Sequence, residues 1–587
     1  MRKPVSSFTF LVAALALPVF VCAQTVPFVN QTSLLPNASV HSGNSIAICD
    51  MNNDGKDDIV RADQNMTMTI DYQQAPNAAF TESTFNNYLD DPWAMCVGDV
   101  DNDGFNDVLW GDNSVYVYRW NGSAYVGGNA TQAANAGYIF VQGTNFADVN
   151  NDGMIDVFAC NDDVMPHIYL GNGAGGWTNG QSLMPLATVP ASDNSGNYAS
   201  IWTDINNDNL IDLLITHCRQ GVTNASDARR IDQVFINNGN GTYTQDVTNW
   251  TGLRDGAQGW STATGDIDND GDMDLFVLNY DVNSKLMLNN GSGVFNNIMG
   301  ASGILNTTTI FGENATFQDF DNDGYVDLFI SGSANLLYIN NGDNTFTLDA
   351  NAFDANSITA HAYGDLNGDG FLDIYASYCN IFQSPSGITD KVWMNASPQN
   401  GNTNHWVKFN LQGVISNRNA IGAIVKIYGA WGVQVREVHS GEGYGIQNSF
   451  AVHFGLGQNT SIDSTVIIWP SGVIDHVMGA SIDAANPVVE GSAPLSVHNS
   501  LQHALQITVS PNPAKSNPVI HLEGYAAYGL ESLELNIYDV NGKLVQSEAG
   551  LKSDAITISS ESLGSGMYFV EIRDAHFRLA TERMLIE

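Results

Sequence analysis

The sequence has few cysteines and few basic residues for its length. Its 587 residues include 6 Cys and 21 Lys+Arg against 62 Asp+Glu, so the formal net charge is −41. A surface this acidic repels phosphate groups, which argues against binding nucleic acid or anionic lipid. The five cysteines after residue 23 are odd in number and widely spaced, which excludes a disulfide framework. We expect most of them to be small buried core residues: Cys49, Cys96, Cys160, Cys218 and Cys379.

Long hydrophobic runs are also missing, except at the N-terminus. Arg2 and Lys3 precede an apolar run from Phe8 to Val21, and small residues lie before Gln24. This pattern predicts a secretory signal peptide over residues 1–23. A lipoprotein anchored at Cys22 would need small residues where Phe20 and Val21 stand. A retained transmembrane helix would need about 20 apolar residues.

The negative charge is unevenly distributed along the chain. Residues 24–400 contain 45 Asp+Glu and 9 Lys+Arg, whereas residues 401–477 contain 4 of each. The carboxylates of the first region either serve solubility and salt tolerance or bind metal ions. Their spacing distinguishes the two interpretations.

The spacing reveals a repeat with the pattern D-x-[DN]-x-D-[GN]-x-x-D. Consecutive copies are separated by 49, 49, 56, 62, 53 and 46 residues. Repeats of this length indicate a solenoid, a propeller or another repeat architecture. The seven copies, called loops 1 to 7, begin at Asp50, Asp99, Asp148, Asp204, Asp266, Asp319 and Asp365.

The loop pattern fits calcium, which takes six to eight oxygen ligands. Positions 1, 3, 5 and 9 offer side-chain oxygens, position 7 offers a backbone carbonyl, and Gly at position 6 permits a sharp turn with positive φ. Loop 4 is the weakest copy because Asn209 replaces this glycine. The candidate ligands are Asp50, Asn52, Asp54, Lys56, Asp58; Asp99, Asp101, Asp103, Phe105, Asp107; Asp148, Asn150, Asp152, Met154, Asp156; Asp204, Asn206, Asp208, Leu210, Asp212; Asp266, Asp268, Asp270, Asp272, Asp274; Asp319, Asp321, Asp323, Tyr325, Asp327; and Asp365, Asn367, Asp369, Phe371, Asp373.

An EF-hand begins in the same way but needs a bidentate Glu at position 12 and flanking helices. No loop has an acidic residue there, and β-branched and aromatic runs of strand length flank the loops, as at Leu275–Val277 and Leu328–Ile330. Magnesium prefers a rigid octahedron with fewer protein ligands, and zinc or copper sites favour thiolate and imidazole. We therefore expect up to seven structural Ca²⁺ ions.

Each repeat contains about four short strands, which is the content of a propeller blade. The sequence therefore predicts an all-β protein in which residues 24–400 form a seven-bladed β-propeller. The stretch from Gln24 to Asn37 is a candidate for the strand that locks the first blade to the last. The loops resemble the FG-GAP/VCBS repeats of integrin α-subunit propellers, a resemblance that covers about Ser39 to Asn395 and implies one calcium ion between two strands of each blade.

Residues 401–479 contain the motifs Asn404-His405-Trp406, Gln447-Asn448 and Trp469-Pro470-Ser471-Gly472. With these motifs the segment resembles the ASPIC/UnbV domain, which follows such propellers in cartilage acidic protein. Alternating runs such as Trp406–Leu411 and Val466–Trp469 predict a small β-domain. Residues 480–505 lack periodicity and are interpreted as a linker.

Residues 506–587 contain Ser510-Pro511-Asn512-Pro513, Ile537–Val545 and Gly566–Ile572. With these segments the region resembles the type A sorting domain of type IX secretion. Asn541-Gly542 between two strand-like runs predicts a hairpin turn in an Ig-like β-sandwich. The family implies an interaction with the secretion machinery, export across the outer membrane, and release from the cell or attachment to its surface.

Two functions remain open from the sequence. The first is an adhesion or recognition module whose propeller loops bind a glycan or a protein, with tryptophans such as Trp93, Trp120, Trp177, Trp250 and Trp260 as candidate sugar contacts. The second is a polysaccharide-acting enzyme of lyase or dehydratase type. Catalytic residues are unknown because His41, His167, His217 and His361 form no recognisable catalytic motif.

Overall fold

The computed structural model describes residues 25–63, 67–86, 92–185, 195–305, 312–381, 384–443, 445–493, 506–523, 533–539, 543–559, 563–573 and 578–586. The predicted signal peptide lies outside these residues. The chain divides into two compact units, Met1–Ser492 and Ala493–Glu587. Among the described residues, helical structure is limited to α1 (Ala130–Ala133) and three 3₁₀ turns, at Thr32–Leu34, Ala228–Arg230 and Pro398–Asn400, so the all-β prediction is confirmed. Within the described residues, no helix has the length and apolar character needed to cross a membrane.

Seven sheets of four antiparallel strands make up most of the first unit, and sheet 1 gains a fifth strand from a later segment. The strands are β1 (Phe28–Asn30), which belongs to sheet 7; in sheet 1, β2 (Ser42–Cys49), β3 (Asp58–Asp63), β4 (Thr67–Tyr72) and β5 (Thr81–Asn86); in sheet 2, β6 (Ala94–Gly98), β7 (Asp107–Gly111), β8 (Val115–Trp120) and β9 (Tyr125–Asn129); in sheet 3, β10 (Val141–Ala147), β11 (Asp156–Asn161), β12 (His167–Gly171) and β13 (Trp177–Asn179); in sheet 4, β14 (Asn197–Thr203), β15 (Asp212–His217), β16 (Gln233–Asn237) and β17 (Tyr243–Gln245); in sheet 5, β18 (Gly259–Gly265), β19 (Asp274–Asn279), β20 (Lys285–Leu288) and β21 (Asn296–Asn297); in sheet 6, β22 (Gly312–Gln318), β23 (Asp327–Gly332), β24 (Leu336–Asn340) and β25 (Phe346–Asp349); and in sheet 7, β26 (Ala360–Gly364), β27 (Asp373–Ser377) and β30 (Lys391–Asn395), with β28 (Cys379–Ile381) and β29 (Ser384–Pro385) as a separate pair.

Both faces of each sheet are buried against the neighbouring sheets. In sheet 2, Leu109 packs with residues of sheet 3, whereas Val108 and Trp110 pack with residues of sheet 1. This alternation follows from the period of two along a strand, which sends successive side chains to opposite faces. A strand that is buried on both faces therefore has a continuous run of apolar residues in its sequence, as β7 has.

The last sheet packs against the first. Ile46 and Ile59 of sheet 1 share a core with Ala362 and Tyr375 of sheet 7. Strand β1 pairs with β30, so the N-terminal segment completes sheet 7, as the sequence predicted for Gln24–Asn37. This arrangement is consistent with a propeller. Four of the five cysteines are buried and none forms a disulfide within the described residues, as expected.

Residues 405–490, called the small domain, form two sheets around one core in the same compact unit. The short strand β34 is the exception, since it joins sheet 1. The strands are β31 (His405–Gln412), β32 (Ile424–Gly429), β33 (Gly432–Glu437), β34 (Ile446–Gln447), β35 (Val452–Gly457), β36 (Ser464–Ile468), β37 (Ile474–Val477) and β38 (Ala485–Val489).

The linker prediction for residues 480–505 is wrong over residues 485–489. This segment is strand β38, which runs parallel to β31 from the Lys408↔Ala485 pair to the Gln412↔Val489 pair. It spans only five residues and includes Pro487, so local periodicity could not reveal it. Backbone pairing with β31 and burial of Val488 hold it in place. Residues 494–505 lie outside the described residues.

The second unit contains two sheets with a common core that includes Ile520, Leu535 and Val570. The predicted turn at Asn541-Gly542 lies outside the described residues, but the strands on either side of it are antiparallel partners. The strands are β39 (Gln506–Ser510), β40 (Val519–Glu523), β41 (Glu534–Asp539), β42 (Leu544–Ala549), β43 (Ala555–Thr557), β44 (Gly566–Arg573) and β45 (Arg578–Ile586).

Candidate metal centres

All seven Asp-rich loops occupy the same position in their sheets. Each connects the first strand to the second, so that position 1 follows the first strand directly and position 9 begins the second. In sheet 2, β6 ends at Gly98 and β7 begins at Asp107. The seven loops therefore lie at one edge of the packed sheets, called the loop edge.

The carboxylate at position 1 organises the loop backbone. Asp99 accepts the N–H of Asp103 at 3.1 Å and that of Gly104 at 2.8 Å. Asp319 accepts the corresponding N–H groups of positions 5 and 6 at 3.1 and 2.8 Å. The loop is thus wrapped around this side chain.

Two positions in each loop adopt the left-handed conformation. Position 6 has φ between 66° and 104°, and Asn209 tolerates this conformation in loop 4, as expected. Position 4 is also left-handed, with φ of 58–59° at six asparagines and 73° at Gly368. Asn and Gly are the residues that accept this geometry, so the recurrence of Asn at position 4 was a signal that the sequence pattern left unused.

The carboxylate at position 9 bonds to its own loop and to the end of the third strand of its sheet. Asp107 accepts the N–H of Val100 at 3.0 Å and that of Trp120 at 2.9 Å. These bonds join the loop to the end of the third strand. The equivalent side chains are fully buried and make the same two bonds: Asp58, Asp156, Asp212, Asp274, Asp327 and Asp373.

Loops 2, 5 and 6 bring carboxylates together closely enough to share one ion. In these loops, oxygens from positions 1, 3 and 9 lie within 4.8 Å of one another. At position 3, Asp101 Oδ1, Asp268 Oδ1 and Asp321 Oδ2 are buried and make no hydrogen bond to the described residues. A buried carboxylate oxygen without a donor is costly, and a calcium ion would satisfy it. The residues present therefore fit the ion.

The remaining predicted ligands are placed differently. Loops 1, 3, 4 and 7 carry Asn at position 3. Of positions 1, 3 and 9, only positions 1 and 9 are therefore carboxylates in these loops. At position 5, Asp103 accepts the N–H of Phe105 at 2.9 Å. In all seven loops the carboxylate at position 5 accepts the backbone N–H of position 7. The position-7 backbone N–H is therefore held by position 5 in every loop, and its carbonyl as a ligand stays a prediction.

Burial raises the pKa of the loop carboxylates above their usual range. Desolvation raises the pKa of Asp107 to about 8 and that of Asp274 to about 9, although backbone hydrogen bonds oppose the shift. Desolvation and repulsion from neighbouring Asp residues also raise the pKa of Asp321. A bound cation would favour the ionised forms of these groups.

The small domain lies against the loop edge and directs its basic side chains at the loops. Arg418 Nε is 3.2 Å from Asp99 Oδ2, and Lys408 Nζ is 3.1 Å from Asp365 Oδ2. Glu437 instead accepts the N–H of Asp204 at 2.9 Å. The domain therefore contacts position-1 residues in at least three loops.

Residues 439–448 connect the small domain to the first strands of several sheets. Ile446 and Gln447 pair in parallel with Ile46 and Ala47 of sheet 1. Asn145 of sheet 3 donates to the Gly441 carbonyl at 2.5 Å. Nothing in the sequence of this segment predicts such long-range pairing.

His439, whose side chain is 9% exposed, lies at the start of this segment between two carboxylates. Its ring nitrogens are 3.0 Å from Glu437 and from Glu442. Burial opposes the charged ring, but hydrogen bonds and Coulombic attraction from Glu437 and Glu442 raise the pKa of His439 to about 10. This histidine is therefore cationic at neutral pH.

His167, His217 and His361 are core residues, as are most of the tryptophans. His361 bonds to Ser331 at 2.8 Å and His167 to Tyr169 at 2.9 Å, and burial lowers the pKa of His361 to about 3 and that of His167 to about 4. Burial also lowers the pKa of His217 to about 4. Among the tryptophans proposed as sugar contacts, Trp177 and Trp260 are buried and Trp250 is 42% exposed.

Three family models match this sequence. The model for FG-GAP-like repeats matches residues 50–110, 99–158, 148–215, 204–277, 266–330 and 319–376, which together cover more than half of the chain. The model for ASPIC and UnbV matches residues 413–494. The model for a secretion system C-terminal sorting domain matches residues 508–587. These matches confirm the three resemblances.

Cartilage acidic protein 1 from several vertebrates is similar to this chain. The chain is 27% identical to the Xenopus tropicalis protein over 259 residues, which is 41% of this chain and 38% of the relative. It is 28% identical to the Mus musculus protein over 258 residues with the same coverage. The chain thus spans less than two fifths of the length of these relatives. Among solved structures, BP39L lectin from Burkholderia pseudomallei is 14% identical, with a TM-score of 0.39, over 61% of this chain and 97% of the lectin.

Proposed function

Because the chain belongs to the family of FG-GAP-like repeat proteins, we propose that it is an extracellular, calcium-binding recognition protein. In this proposal residues 24–400 form a seven-bladed propeller, residues 401–479 an ASPIC/UnbV domain and residues 506–587 a β-sandwich. The sorting domain indicates type IX secretion to the cell surface or outside the cell. The signal peptide 1–23 accounts for the first step of that export.

The unsatisfied position-3 oxygens carry the calcium part of this proposal. Asp101, Asp268 and Asp321 each bury an oxygen without a donor among the described residues, beside two further carboxylates. Calcium supplies the missing positive charge and accepts six to eight oxygens. The four loops with Asn at position 3 retain an oxygen there and bind calcium with fewer charged ligands.

The recognition part of this proposal rests on which surfaces of the repeat region the small domain covers and which it leaves exposed. The small domain occupies the loop edge, which favours a scaffold role for the calcium ions there. Loops at the opposite edge, and the boundary between the two domains, remain for ligand contact. Loops held by a rigid scaffold commonly carry binding function.

The experiment that tests this proposal is a panel of immobilised polysaccharides and matrix proteins probed with the full secreted chain. We expect calcium-dependent retention on at least one member, with loss of retention in EDTA. Release of new products from a retained glycan would instead identify an enzyme. If the chain binds no calcium by titration calorimetry after EDTA treatment and dialysis, the metal assignment fails.

A further inference from the structure

A cleft of about 400 Å³ separates the small domain from loops 1 and 2. Its walls come from residues 50–57 and 99–106 on one side, and from β31, β38 and Ser449–Ala451 on the other. Two further cavities at the loop edge are much smaller, about 40 Å³ each. Small-molecule sites usually have volumes of about 300–1,000 Å³, so the large cleft has the size of a ligand site.

One wall of the cleft is a row of polar side chains on β31. Lys408, Asn410 and Gln412 alternate with Val407 and Phe409, which are fully buried in the core of the small domain. Lys408 is paired with Asp365. Asn410 and Gln412 are half-buried and line the cleft. Their amides make no side-chain hydrogen bond with any described residue, which leaves donors and acceptors for a ligand.

The facing wall is formed by loop 1 and is exposed to solvent. Asn53 and Gly55 are exposed, and a Cβ atom added at Gly55 would meet nothing within 4 Å. The amide of Asn53 makes no hydrogen bond with the described residues. This wall therefore offers another free amide opposite the row on β31.

The end of the cleft is apolar. Phe450 is half-buried between three hydrophobic clusters, and Val488 and Val489 extend the same surface along β38. An aromatic ring and aliphatic groups beside free amides match a ligand that has C–H faces as well as hydroxyl groups.

The charges of the cleft argue for a neutral ligand. Lys408 and Arg418 already pair with Asp365 and Asp99, and Lys56 pairs with Asp54 at 2.7 Å. No basic side chain that lines the cleft in the described residues is left to hold an anion. The surrounding domain is strongly acidic, with 45 Asp+Glu and 9 Lys+Arg over residues 24–400, and it repels polyanions.

We propose that this cleft binds a short neutral glycan, with the amides of Asn410 and Gln412 bonded to its hydroxyl groups and a sugar face against Phe450. The inference rests on the proposed recognition function and assigns it a ligand class and a site. It also places the ligand at the domain boundary rather than on the tryptophans of the repeat region.

The test is an array of neutral and uronate-bearing oligosaccharides probed in calcium with the full chain and three variants. N410A/Q412A removes the free amides, V489W narrows the cleft without removing a polar group, and Q132A removes an exposed amide of α1, far from the cleft in the fold. We expect wild type and Q132A to bind neutral members equally, and both cleft variants to bind at least tenfold more weakly at unchanged thermal midpoints.

Each other outcome overturns the inference in a recognisable way. Equal binding of neutral glycans by wild type and both cleft variants places the site elsewhere and leaves the recognition function standing. Binding of uronate-bearing members alone contradicts a neutral ligand. Retention on a matrix protein without binding to any oligosaccharide overturns the glycan site but not recognition, whereas no binding to any probe overturns both.

Discussion

Arg418 Nε lies 3.2 Å from Asp99 Oδ2, so a cationic side chain from the small domain contacts the first candidate ligand position of loop 2. Asn419 beside it accepts the N–H of the same aspartate at 2.7 Å. The small domain therefore recognises both the side chain and the backbone of this loop position. A calcium ion in loop 2 would share Asp99 with Arg418.

All four basic residues of segment 401–477 approach the loops. Lys408 and Arg418 make ion pairs, Lys426 Nζ is 3.4 Å from Asn207 Oδ1, and Arg436 attracts the carboxylates of Asp266 and Asp319. The segment has equal numbers of acidic and basic residues, so its net charge does not reveal this arrangement. The basic side chains nevertheless lie together on the surface that faces the loops. These four basic side chains would neutralise part of the negative charge that remains on the loops after calcium binds.

Replacing Lys408 with Met should destabilise the protein most when calcium is absent. Lys408 is 11% exposed at its side chain and pairs with the buried Asp365. Leaving one member of a buried pair alone costs about 3–5 kcal/mol, but calcium in loop 7 would compensate Asp365. We expect a loss near 3 kcal/mol in EDTA and a smaller loss in calcium, measured by urea unfolding of the first unit.

Lys426 is the matched control for Lys408, because its amine makes one long contact to a neutral amide. Lys426→Met should change the free energy of unfolding by less than about 0.5 kcal/mol, as surface substitutions do. Equal losses for Lys408→Met in calcium and in EDTA would show that calcium and Lys408 do not share Asp365.

Asp321→Asn and Asp327→Asn should separate metal binding from backbone support in loop 6. Asp321 has a buried oxygen with no donor, whereas Asp327 accepts the N–H of Phe320 at 3.0 Å and of Asn340 at 2.9 Å. Asp321→Asn should therefore raise the thermal midpoint in EDTA, by removing repulsion, and lower it in calcium. Asp327→Asn should lower it in both, because an amide cannot accept both N–H groups as the carboxylate does.

The measurement is differential scanning calorimetry with and without calcium. Asp343→Asn, an exposed residue in a turn of sheet 6, controls for loss of one negative charge. If Asp321→Asn lowers the thermal midpoint equally in calcium and EDTA, position 3 supports the fold rather than the ion.

The sequence predicted the loops well because a loop motif is local. Nine consecutive residues determine the turn, and Asp99 to Asp107 carry enough pattern to place the candidate ligands between two strands. The strands were predictable for the same reason, since an apolar run such as Leu275–Val277 reports burial on both faces.

Contacts between distant segments left no such pattern. The pairing of Ile446 with Ile46 joins the small domain to sheet 1, and neither segment identifies its partner. The row formed by Asn410 and Gln412 looks like the solvated face of a strand until the loops are placed opposite it. The second role of position 9, seen at Asp107, depends on Trp120 in another strand.

Calcium should stabilise the protein more as pH rises from about 4 to about 8. Burial raises the pKa of Asp58, Asp107 and Asp156 to about 8, above the unfolded value near 3.9. Between these values the calcium-free folded state binds more protons than the unfolded state, so its stability falls as pH rises. Calcium binds the ionised carboxylates and removes this penalty.

Thermal midpoints in EDTA and in calcium at pH 5, 6.5 and 8 test this pH dependence. We expect the difference between the two midpoints to increase with pH, chiefly because the EDTA midpoint falls. A difference that does not change with pH would mean that the loop carboxylates are ionised in the calcium-free protein.

His439 should contribute stability that persists through neutral pH and is lost as pH rises toward 10. Glu437 and Glu442 raise the pKa of this buried ring to about 10, from about 6.5 in the unfolded chain. The folded state therefore holds a proton that the unfolded state has released, so stability falls as pH passes from 6.5 to 10.

His439→Gln removes that charge between two carboxylates and should cost about 3 kcal/mol at pH 7. His476→Gln, in a half-buried strand position, is the control. Urea unfolding at pH 7 and pH 10 should show the gap between wild type and His439→Gln narrowing at high pH, and an unchanged gap would mean that the ring is neutral throughout.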